Sequence, residues 1–291
     1  MKTITELAYA KINLHLDITG ILQNGFHSVR TVMQTVSLCD TVTLTERKDG
    51  ELTVECDDPT IPSGKDNLAY RAARAFCREL GRDVGADIFI EKRIPMAAGL
   101  AGGSADAAAV LRGMNTLCDS PMSQEQLCRI GSTLGSDIPF CIVGGATLAE
   151  GKGDLLSAFP RMPDCAIVIA KGGEGVSTPE AYGMLDSLYG GFVSPECHPP
   201  VSTLPLEKAI SDGEVSAVAN RIYNIFERPI LSVRPVAAKI KSLMLKNGAL
   251  GAMMSGSGPS IFGIFENTDA AQSAVTAIEQ IGVKAHICRP V

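Results

Sequence analysis

Apolar and polar residues alternate with a period of two through the first 60 residues. The alternation is clearest from Leu7 to Ile18 and from Thr41 to Cys56, and this period is typical of half-buried strands. Asn24-Gly25 and Asp49-Gly50 are dipeptides of the kind that form hairpin turns. The opening of the chain is therefore predicted to be strands joined by tight turns.

Beyond residue 60, helical periods alternate with short apolar runs. Asp66 to Leu80 is predicted to be an amphipathic helix ended by Gly81, and Ala86 to Ile94 a strand. The other predicted helices run from Ser123 to Leu134, Pro179 to Leu188, Glu207 to Ile225, Pro235 to Asn247 and Asp269 to Ile281. The other predicted strands follow Phe140 and cover Cys165 to Ala170, Ala249 to Met254, Ile261 to Phe265 and Val283 to Ile287. Such a mixture without strict alternation predicts the α+β class.

Two stretches rich in glycine and proline suggest how the chain is divided. Gly151 to Pro163 resembles a domain joint, and we place the boundary near residue 160, giving domains of residues 1–160 and 161–291. Gly190 to Pro205 is predicted to be a connection without regular structure.

Composition narrows the classes of function. The chain has 291 residues, 45% hydrophobic and 20% charged, and a formal net charge of −6 without a basic block, which argues against a nucleic-acid binder. The N-terminus does not resemble a signal peptide, and no apolar run reaches the length of a membrane span. The nine cysteines include no C-x-x-C pair, so we expect reduced thiols in the cytoplasm. Cys197-His198 is interpreted as loop sequence.

The most informative stretch is Pro95 to Leu111, PMAAGLAGGSADAAAVL. Its glycines lead to Ser104, which we predict to be the N-cap of a helix starting at Ala105, with Asp106 in the first turn. A glycine loop that opens a helix presents free N–H groups to an anion. The spacing matches neither G-x-x-x-x-G-K-[ST] nor G-x-G-x-x-G, so a phosphate site and a tight strand-to-helix turn both remain open.

Two charged residues could carry chemistry. Lys11 interrupts an apolar strand two residues before Asn13, and it points either to solvent or into a cleft. Asp137 lies in the short turn Gly135 to Phe140 and is either a turn or N-cap aspartate or a base for a substrate hydroxyl. A second glycine loop, Ser255 to Ser260, follows late in the chain.

Taken in order, five motifs resemble those of the GHMP kinase superfamily. They are AYAKINLHLDI, NGFHS, PMAAGLAGGSADAA, GSDIPFCIVGGA and MMSGSGPSIFGIF. The resemblance implies a two-domain fold, with an N-terminal domain like domain 2 of ribosomal protein S5 and a C-terminal ferredoxin-like α/β sandwich. The motifs look most like those of members that use ATP to phosphorylate the 2-hydroxyl of cytidyl-diphospho-methylerythritol in non-mevalonate (MEP) isoprenoid biosynthesis. The resemblance also implies a small-molecule substrate and Mg2+ with the ATP. Composition predicts no nucleic-acid or membrane partner, and the net charge and scattered surface residues permit a monomer or a homodimer.

The resemblance also assigns roles to individual residues. Asp137 matches the catalytic aspartate and Lys11 the lysine beside it in the family. The matches to the ATP site are Pro95, Met96, Ala97, Ala98, Gly99, Leu100, Ala101, Gly102, Gly103, Ser104, Ala105, Asn67 and Lys92. The matches to the substrate side are Asn13, Phe26, His27, Tyr182, Gly256 and Ser257.

Departures from the family pattern change some of these roles. Phe26 stands where many members have tyrosine, and it keeps a ring that can stack on cytosine. Tyr182 is either the second ring of that stack or an aromatic residue on a helix face. Alanines replace glycines or serines in the loop, which leaves Ser104 as the sole hydroxyl candidate for contact with Mg-ATP, while the metal ligands stay unknown.

Three other functions remain to be weighed. The chain could be a GHMP kinase for another small alcohol, such as homoserine or mevalonate, or a catalytically silent binding protein of the same fold. A hydrolase using Ser104, Asp137 and His198 is formally possible, but Ser104 lacks the second glycine of G-x-S-x-G.

Overall fold

A computed structural model describes residues 1–23, 25–191 and 193–291. Asn24, half of the first predicted turn, lies outside the described residues. The strands are β1 (Thr3–Ile21), β2 (His27–Arg47), β3 (Leu52–Cys56), β4 (Gly85–Glu91), β5 (Ala146–Gly151), β6 (Leu155–Ala158), β7 (Ala166–Lys171), β8 (Tyr223–Asn224), β9 (Gly251–Met254), β10 (Ser260–Phe265) and β11 (Ala285–Cys288). The helices are α1 (Leu68–Leu80), α2 (Gly102–Leu117), α3 (Gln124–Ser132), α4 (Ile138–Val143), α5 (Thr178–Leu188), α6 (Leu204–Ser211), α7 (Val215–Ala219), α8 (Glu227–Val233), α9 (Pro235–Lys246) and α10 (Thr268–Glu279).

The chain forms two compact units, neither of which is a single segment. The first unit contains Met1–Ala10, Cys39–Pro95 and Ala101–Gly144, and the second contains Lys11–Leu38, Met96–Leu100 and Gly145–Val291. The strands β1 and β2 therefore contribute residues to both units. The boundary near residue 160 stays a prediction about sequential domains.

In the first unit, helices cover a sheet. The second half of β2 pairs antiparallel with β4, which pairs parallel with β3. Helix α1 connects β3 to β4 and packs against α2. Asn67 and Gly81 cap the two ends of α1, as the sequence predicted for the glycine. The core includes the fully buried Phe76 and Leu44.

The second unit contains a four-stranded antiparallel sheet in the order β11-β7-β10-β9. In chain order, the outer strands β11 and β9 are the fourth and second strands of this sheet, and α9 and α10 pack on it. This is the ferredoxin-like order, as the resemblance implied. In the same unit, β5 pairs with the first half of β2 and with β6, and β8 pairs parallel with β1.

Most predicted helices are confirmed. Four predictions are wrong, and they concern one strand, one helix, one turn and one helix cap. The residues after Phe140, where a strand was predicted, belong to α4, which already begins at Ile138. A short apolar run has no resolvable period, and Pro139 fits the first turn of a helix. The predicted helix from Glu207 to Ile225 divides into α6, α7 and β8, since Gly213 takes a positive φ of 73° that a helix cannot contain. The other two wrong predictions concern the turn at Asp49-Gly50 and the helix cap at Ser104.

Asp49-Gly50 does not close a hairpin. The strand order β3-β4-β2 inserts β4 between the two strands that the turn connects. Ser104 is not the N-cap of α2, because the helix already begins at Gly102 and the cap position is Ala101. Strong helix formers after the glycines allow the helix to start there. Among the described residues, no helix is both long and apolar enough to cross a membrane.

Candidate active site

Strand β1 carries a buried row of polar side chains. Lys11, Asn13, His15 and Asp17 alternate with apolar residues, and each is at most 4% exposed. Alternate residues of a strand lie on the same face, so these four side chains line one face of β1. The structure thereby excludes the solvent-facing alternative for Lys11.

Lys11 and Asn13 begin a chain of buried hydrogen bonds in the second unit. Lys11 Nζ donates to Asn13 Oδ1 at 2.7 Å, and Asn13 Nδ2 donates to Thr31 Oγ1 at 2.8 Å. Thr31 in turn donates to the carbonyl of His15 at 2.6 Å. The backbone N–H of Lys11 donates to Leu100 O at 3.1 Å, which ties β1 to the glycine-rich loop. The lysine is thus bound to Asn13 on β1, and Asn13 is in turn held by Thr31 on β2.

Residues 96–100 of this loop lie against the second glycine loop within the same unit. Ser255 Oγ donates to Gly99 O at 2.9 Å, and Ser260 N donates to Ala98 O at 3.3 Å. A Cβ on Gly99 would lie 2.1 Å from Ser255 O, and one on Gly256 would lie 3.0 Å from Gly99 O. Only glycine permits this approach of two main chains. Met96 and Ala97 are exposed, and Ser257 is half-buried.

In the first unit, the N-terminus of α2 is open. Ala101, in the N-cap position, has a positive φ of 58° and its side chain caps no N–H group. A Cβ on Gly103 would meet no atom within 4 Å, and Ser104 is half-buried. The first N–H groups of this 16-residue helix are therefore without a side-chain cap from the N-cap residue, as an anion site requires. Ala105 N already bonds to Ala101 O at 2.8 Å.

Lys92 lies between two buried carboxylates in the first unit. Its Nζ donates to Asp40 Oδ2 at 2.5 Å and to Asp106 Oδ2 at 2.6 Å. Asp40 also accepts from the N–H groups of Arg93 and Ile94, and a Cβ on Gly102 would lie 3.6 Å from Lys92 Nζ. The ammonium group thus joins the end of β4 to the beginning of α2.

This cluster has one more carboxylate than it has lysines. Burial raises the pKa of Asp106 to about 7; the charge of Lys92 opposes the shift and that of Asp40 adds to it. Burial lowers the pKa of Lys92, but the two carboxylates outweigh burial and raise it overall. Asp106 Oδ1 is buried without a hydrogen-bond partner among the described residues, which fits a carboxyl group that holds its proton near neutral pH.

Asn67 and Asp137, two other predicted site residues of the first unit, lie at helix N-termini. Asn67 Oδ1 accepts from Ala69 N at 2.8 Å and its Nδ2 donates to Pro62 O at 2.8 Å, so its amide already shapes the start of α1. Asp137 occupies the N-cap position of α4, but its side chain does not cap the helix. Asp137 is half-buried.

A ring cluster in the second unit contains His27 and Tyr182. Their ring centroids are 4.7 Å apart, and Tyr182 meets Phe226 edge-on at 4.9 Å. His27 Nε2 lies 2.9 Å from Asp186 Oδ1 on α5, one turn after Tyr182. Phe26 is 64% exposed, and Lys152 Nζ lies 5.3 Å from its ring centroid. The cluster thus brings two neighbouring rings, His27 and Tyr182, together in the second unit.

Sequence reasoning missed several polar residues of the second unit. His198 Nε2 lies 2.8 Å from Asp17 Oδ1, and Val201 N donates to Asp17 Oδ2 at 2.7 Å, which fastens the 190–205 connection to β1. Burial lowers the pKa of His15 to about 4. The polar residues at every second position of β1 were a signal for His15 and Asp17, whereas nothing local marks Asp186. His198 was singled out only in a loop dipeptide and in the hydrolase alternative, and its contact with Asp17 was not predicted.

Comparison with known proteins identifies the family. The model for the GHMP kinases N terminal domain matches residues 67–145, and that for GHMP kinases C terminal matches residues 206–284. The chain is 44% identical over 271 residues to the 4-diphosphocytidyl-2-C-methyl-D-erythritol kinase of Acetivibrio thermocellus, covering 93% of each chain. It is 39% identical over 287 residues to that of Alkaliphilus metalliredigens, covering 99% of this chain and 96% of the relative.

Solved structures agree on the fold. A crystal structure of 4-(cytidine 5'-diphospho)-2C-methyl-D-erythritol kinase is similar with a TM-score of 0.81, at 29% identity and 99% coverage of both chains. A homoserine kinase from Cytophaga hutchinsonii has a TM-score of 0.75 at 21% identity, covering 100% of this chain and 95% of its own, a likeness of fold alone. The chain therefore belongs to the 4-diphosphocytidyl-2-C-methyl-D-erythritol kinase family of the GHMP kinases.

Proposed function

We propose that this chain transfers the γ-phosphoryl group of ATP to the 2-hydroxyl of 4-diphosphocytidyl-2-C-methyl-D-erythritol, giving the 2-phosphate and ADP, in MEP-pathway isoprenoid biosynthesis. The observation that carries the proposal is the 44% identity over 93% of both chains to a relative with that name. Relatives of this kind do not favour a homoserine- or mevalonate-type kinase, a silent binding protein or a hydrolase. A cytoplasmic monomer or homodimer stays a prediction.

The phosphates of ATP fit the features at the start of α2. The N–H groups of Gly102, Gly103 and Ser104 receive no side-chain cap from Ala101 and would hold anionic oxygens at the positive end of the helix. ATP supplies the transferable phosphoryl group when bound. Mg2+ usually takes its oxygens from the phosphates and one or two protein groups, and the Ser104 hydroxyl is our candidate for such a contact. The remaining loop residues, from Pro95 to Leu100, would enclose the nucleotide.

Two residues carry the chemistry in this proposal. Asp137 takes the proton of the attacking hydroxyl, a role that suits a carboxylate at a helix start that does not cap the helix. Lys11 stabilises the negative charge that develops during transfer, and its hydrogen bond to Asn13 fixes the ammonium group before the substrate arrives.

The cytidyl group is assigned to the ring cluster of the second unit. His27 and Tyr182 lie with ring centroids 4.7 Å apart, and Phe26 offers an exposed ring. Aromatic rings favour stacking with a planar base, so we propose Phe26 and Tyr182 as stacking partners and His27 as the hydrogen-bonding residue. Asn13, Gly256 and Ser257 would contact the remainder of the substrate.

The test is ADP release from Mg-ATP with the cytidyl substrate, run beside homoserine, mevalonate and galactose. We expect turnover with the cytidyl substrate alone. Asp137→Asn should lower kcat at least about 100-fold, as loss of a general base does, while Asp212→Asn, on an exposed helix end, should leave it unchanged.

Each alternative result has a defined meaning. Turnover with another alcohol would refute the substrate, and near-normal kcat in folded Asp137→Asn protein would refute the assignment of the base. Absence of ADP with every alcohol would refute the kinase function.

A further inference from the structure

We propose that Asn224 is a positioning residue for phosphoryl transfer. Its side-chain amide holds the second glycine loop, residues 255–258, against residues 96–100. Residues 96–100 are the part of the first glycine-rich loop that belongs to the second unit. The inference rests on the proposed function for the role of that loop. The contacts that support it all lie within the second unit.

Asn224 is held firmly by its own surroundings. It lies on β8, opposite Leu16 of β1, and is 4% exposed. The next residue, Ile225, donates its N–H to Leu16 O at 3.0 Å. Asn224 Oδ1 accepts from Phe226 N at 2.9 Å. These contacts fix both the backbone and the orientation of the amide.

The amide nitrogen reaches both sides of Ser255. Asn224 Nδ2 donates to Met254 O at 2.7 Å and to Gly256 O at 2.8 Å. An asparagine amide has two N–H donors and one oxygen, so all of its donors and its oxygen are used here. The group bridges the point where β9 ends and the glycine loop begins.

The second glycine loop, which Asn224 holds, is in direct contact with residues 96–100 of the first glycine-rich loop. Ser255 Oγ donates to Gly99 O at 2.9 Å, and Ser255 O is so close that a Cβ on Gly99 would lie 2.1 Å from it. Ser255 Oγ is also 3.5 Å from Asn13 Oδ1. A small shift of Ser255 would therefore move Gly99 or break its hydrogen bond. Positioning of this kind matters because misplacement by about 1 Å lowers rates strongly.

A second contact explains why the end of β9 should stay in place when Asn224 changes. Met254 N donates to Glu227 Oε2 at 2.9 Å, and Glu227 Oε1 pairs with Lys241. The contact with Glu227 is made by Met254, the residue before Ser255, whereas the contact of Asn224 with Gly256 O is made one residue after Ser255. Loss of the Asn224 amide should therefore loosen the glycine loop more than the sheet.

Asn224→Asp is the sharpest variant. A carboxylate of nearly the same shape has no N–H donor, so two hydrogen bonds are lost and a negative charge faces two carbonyl oxygens. Asn247→Asp is the matched control, because Asn247 also donates its amide to a main-chain carbonyl, Leu243 O at 2.8 Å, but at the end of α9. Asn224→Ala serves as the second variant, since it removes the donors without adding charge.

Two measurements are made on the full chain, the Kd of Mg-ATP by calorimetry and steady-state ADP release. We expect Asn224→Asp to raise the Kd of Mg-ATP and lower kcat/KM for ATP at least about tenfold, with the larger part in KM. Asn224→Ala should change both in the same direction by a smaller factor. Asn247→Asp should stay within twofold of the wild type.

Folded Asn224 variants with both ATP constants within twofold of the wild type would overturn the proposal. An equal loss in Asn247→Asp would also overturn it, since the effect would then be general. If wild-type protein binds Mg-ATP but does not phosphorylate the cytidyl substrate, the proposed substrate fails, and the Kd values still test the role of Asn224. If Asn224→Asp does not fold, Asn224→Ala gives the decision by the same criteria.

Discussion

The buried cluster of Lys92, Asp40 and Asp106 predicts an unusual dependence of stability on pH. Burial raises the pKa of Asp106 from its ordinary 3.8 to about 7. Between these values the folded protein binds a proton that the unfolded chain has released. The free energy of unfolding therefore falls as the pH rises through this window. Asp106→Asn removes the titration and keeps a side chain of similar shape.

The change in the free energy of unfolding depends on how much of the pH range between the two pKa values the experiment covers. Between pH 5 and the folded pKa of about 7 lie about two pH units, and each unit corresponds to 1.36 kcal/mol. The wild type should therefore lose about 3 kcal/mol relative to Asp106→Asn between pH 5 and pH 8. That is a large fraction of the stability of a typical domain.

The assay is equilibrium unfolding in guanidinium chloride at pH 5, 6, 7 and 8. At each pH, the free energy of unfolding of the wild type is subtracted from that of Asp106→Asn, which cancels groups that titrate in both proteins. Asp83→Asn is the control: Asp83 pairs with Arg74 at 3.2 Å on the surface of the same unit, and exposed pairs contribute at most about 1 kcal/mol.

A difference between wild type and Asp106→Asn that stays constant from pH 5 to pH 8 would refute the reasoning. It would mean that Asp106 is ionised throughout and that its attraction to Lys92 outweighs its burial. A lowered pKa of Asp106 in the folded state would give the same constant difference, because the carboxyl would then be ionised in both the folded and the unfolded state throughout this pH range. The expected outcome is a variant that becomes relatively more stable as the pH rises.

Three further predictions concern the proposed active site. Lys11→Ala should lower kcat about 100-fold or more while the Kd of Mg-ATP changes little, and the reverse pattern in steady-state and binding data would make it an ATP ligand only. Asp186→Ala removes the partner of His27 at 2.9 Å and should raise KM for the cytidyl substrate about tenfold; a matching rise in KM for ATP would contradict this. Gly99→Ala would bring a Cβ to 2.1 Å from Ser255 O and should lower the free energy of unfolding by about 2 kcal/mol or more. A variant that unfolds at the same temperature as the wild type would contradict this, because it would show that the two loops move apart freely.

Local patterns predicted much of the secondary structure. The helix ended by Gly81 and the helix predicted to start at Ser123 are confirmed, and Ser123 forms a capping box with Gln126. Such caps depend on residues within one turn of each other. The errors arose where local signals are ambiguous. The residues after Asp137 form a helix because a run of six has no decisive period, and Ser104 gave way to Gly102 as the effective start of α2.

By itself, the sequence predicted the α+β class from periods along the chain. The resemblance of its five ordered motifs to those of a known family predicted the residues that carry the proposed chemistry. Tertiary structure alone decided that Lys11 is buried, that Lys92 joins two aspartates, and that Asn224 holds the loop around Ser255. The partners in these contacts are between 14 and 52 residues apart in the chain. Burial and charge pairing at such distances depend on how strands and helices pack, and no local period encodes them.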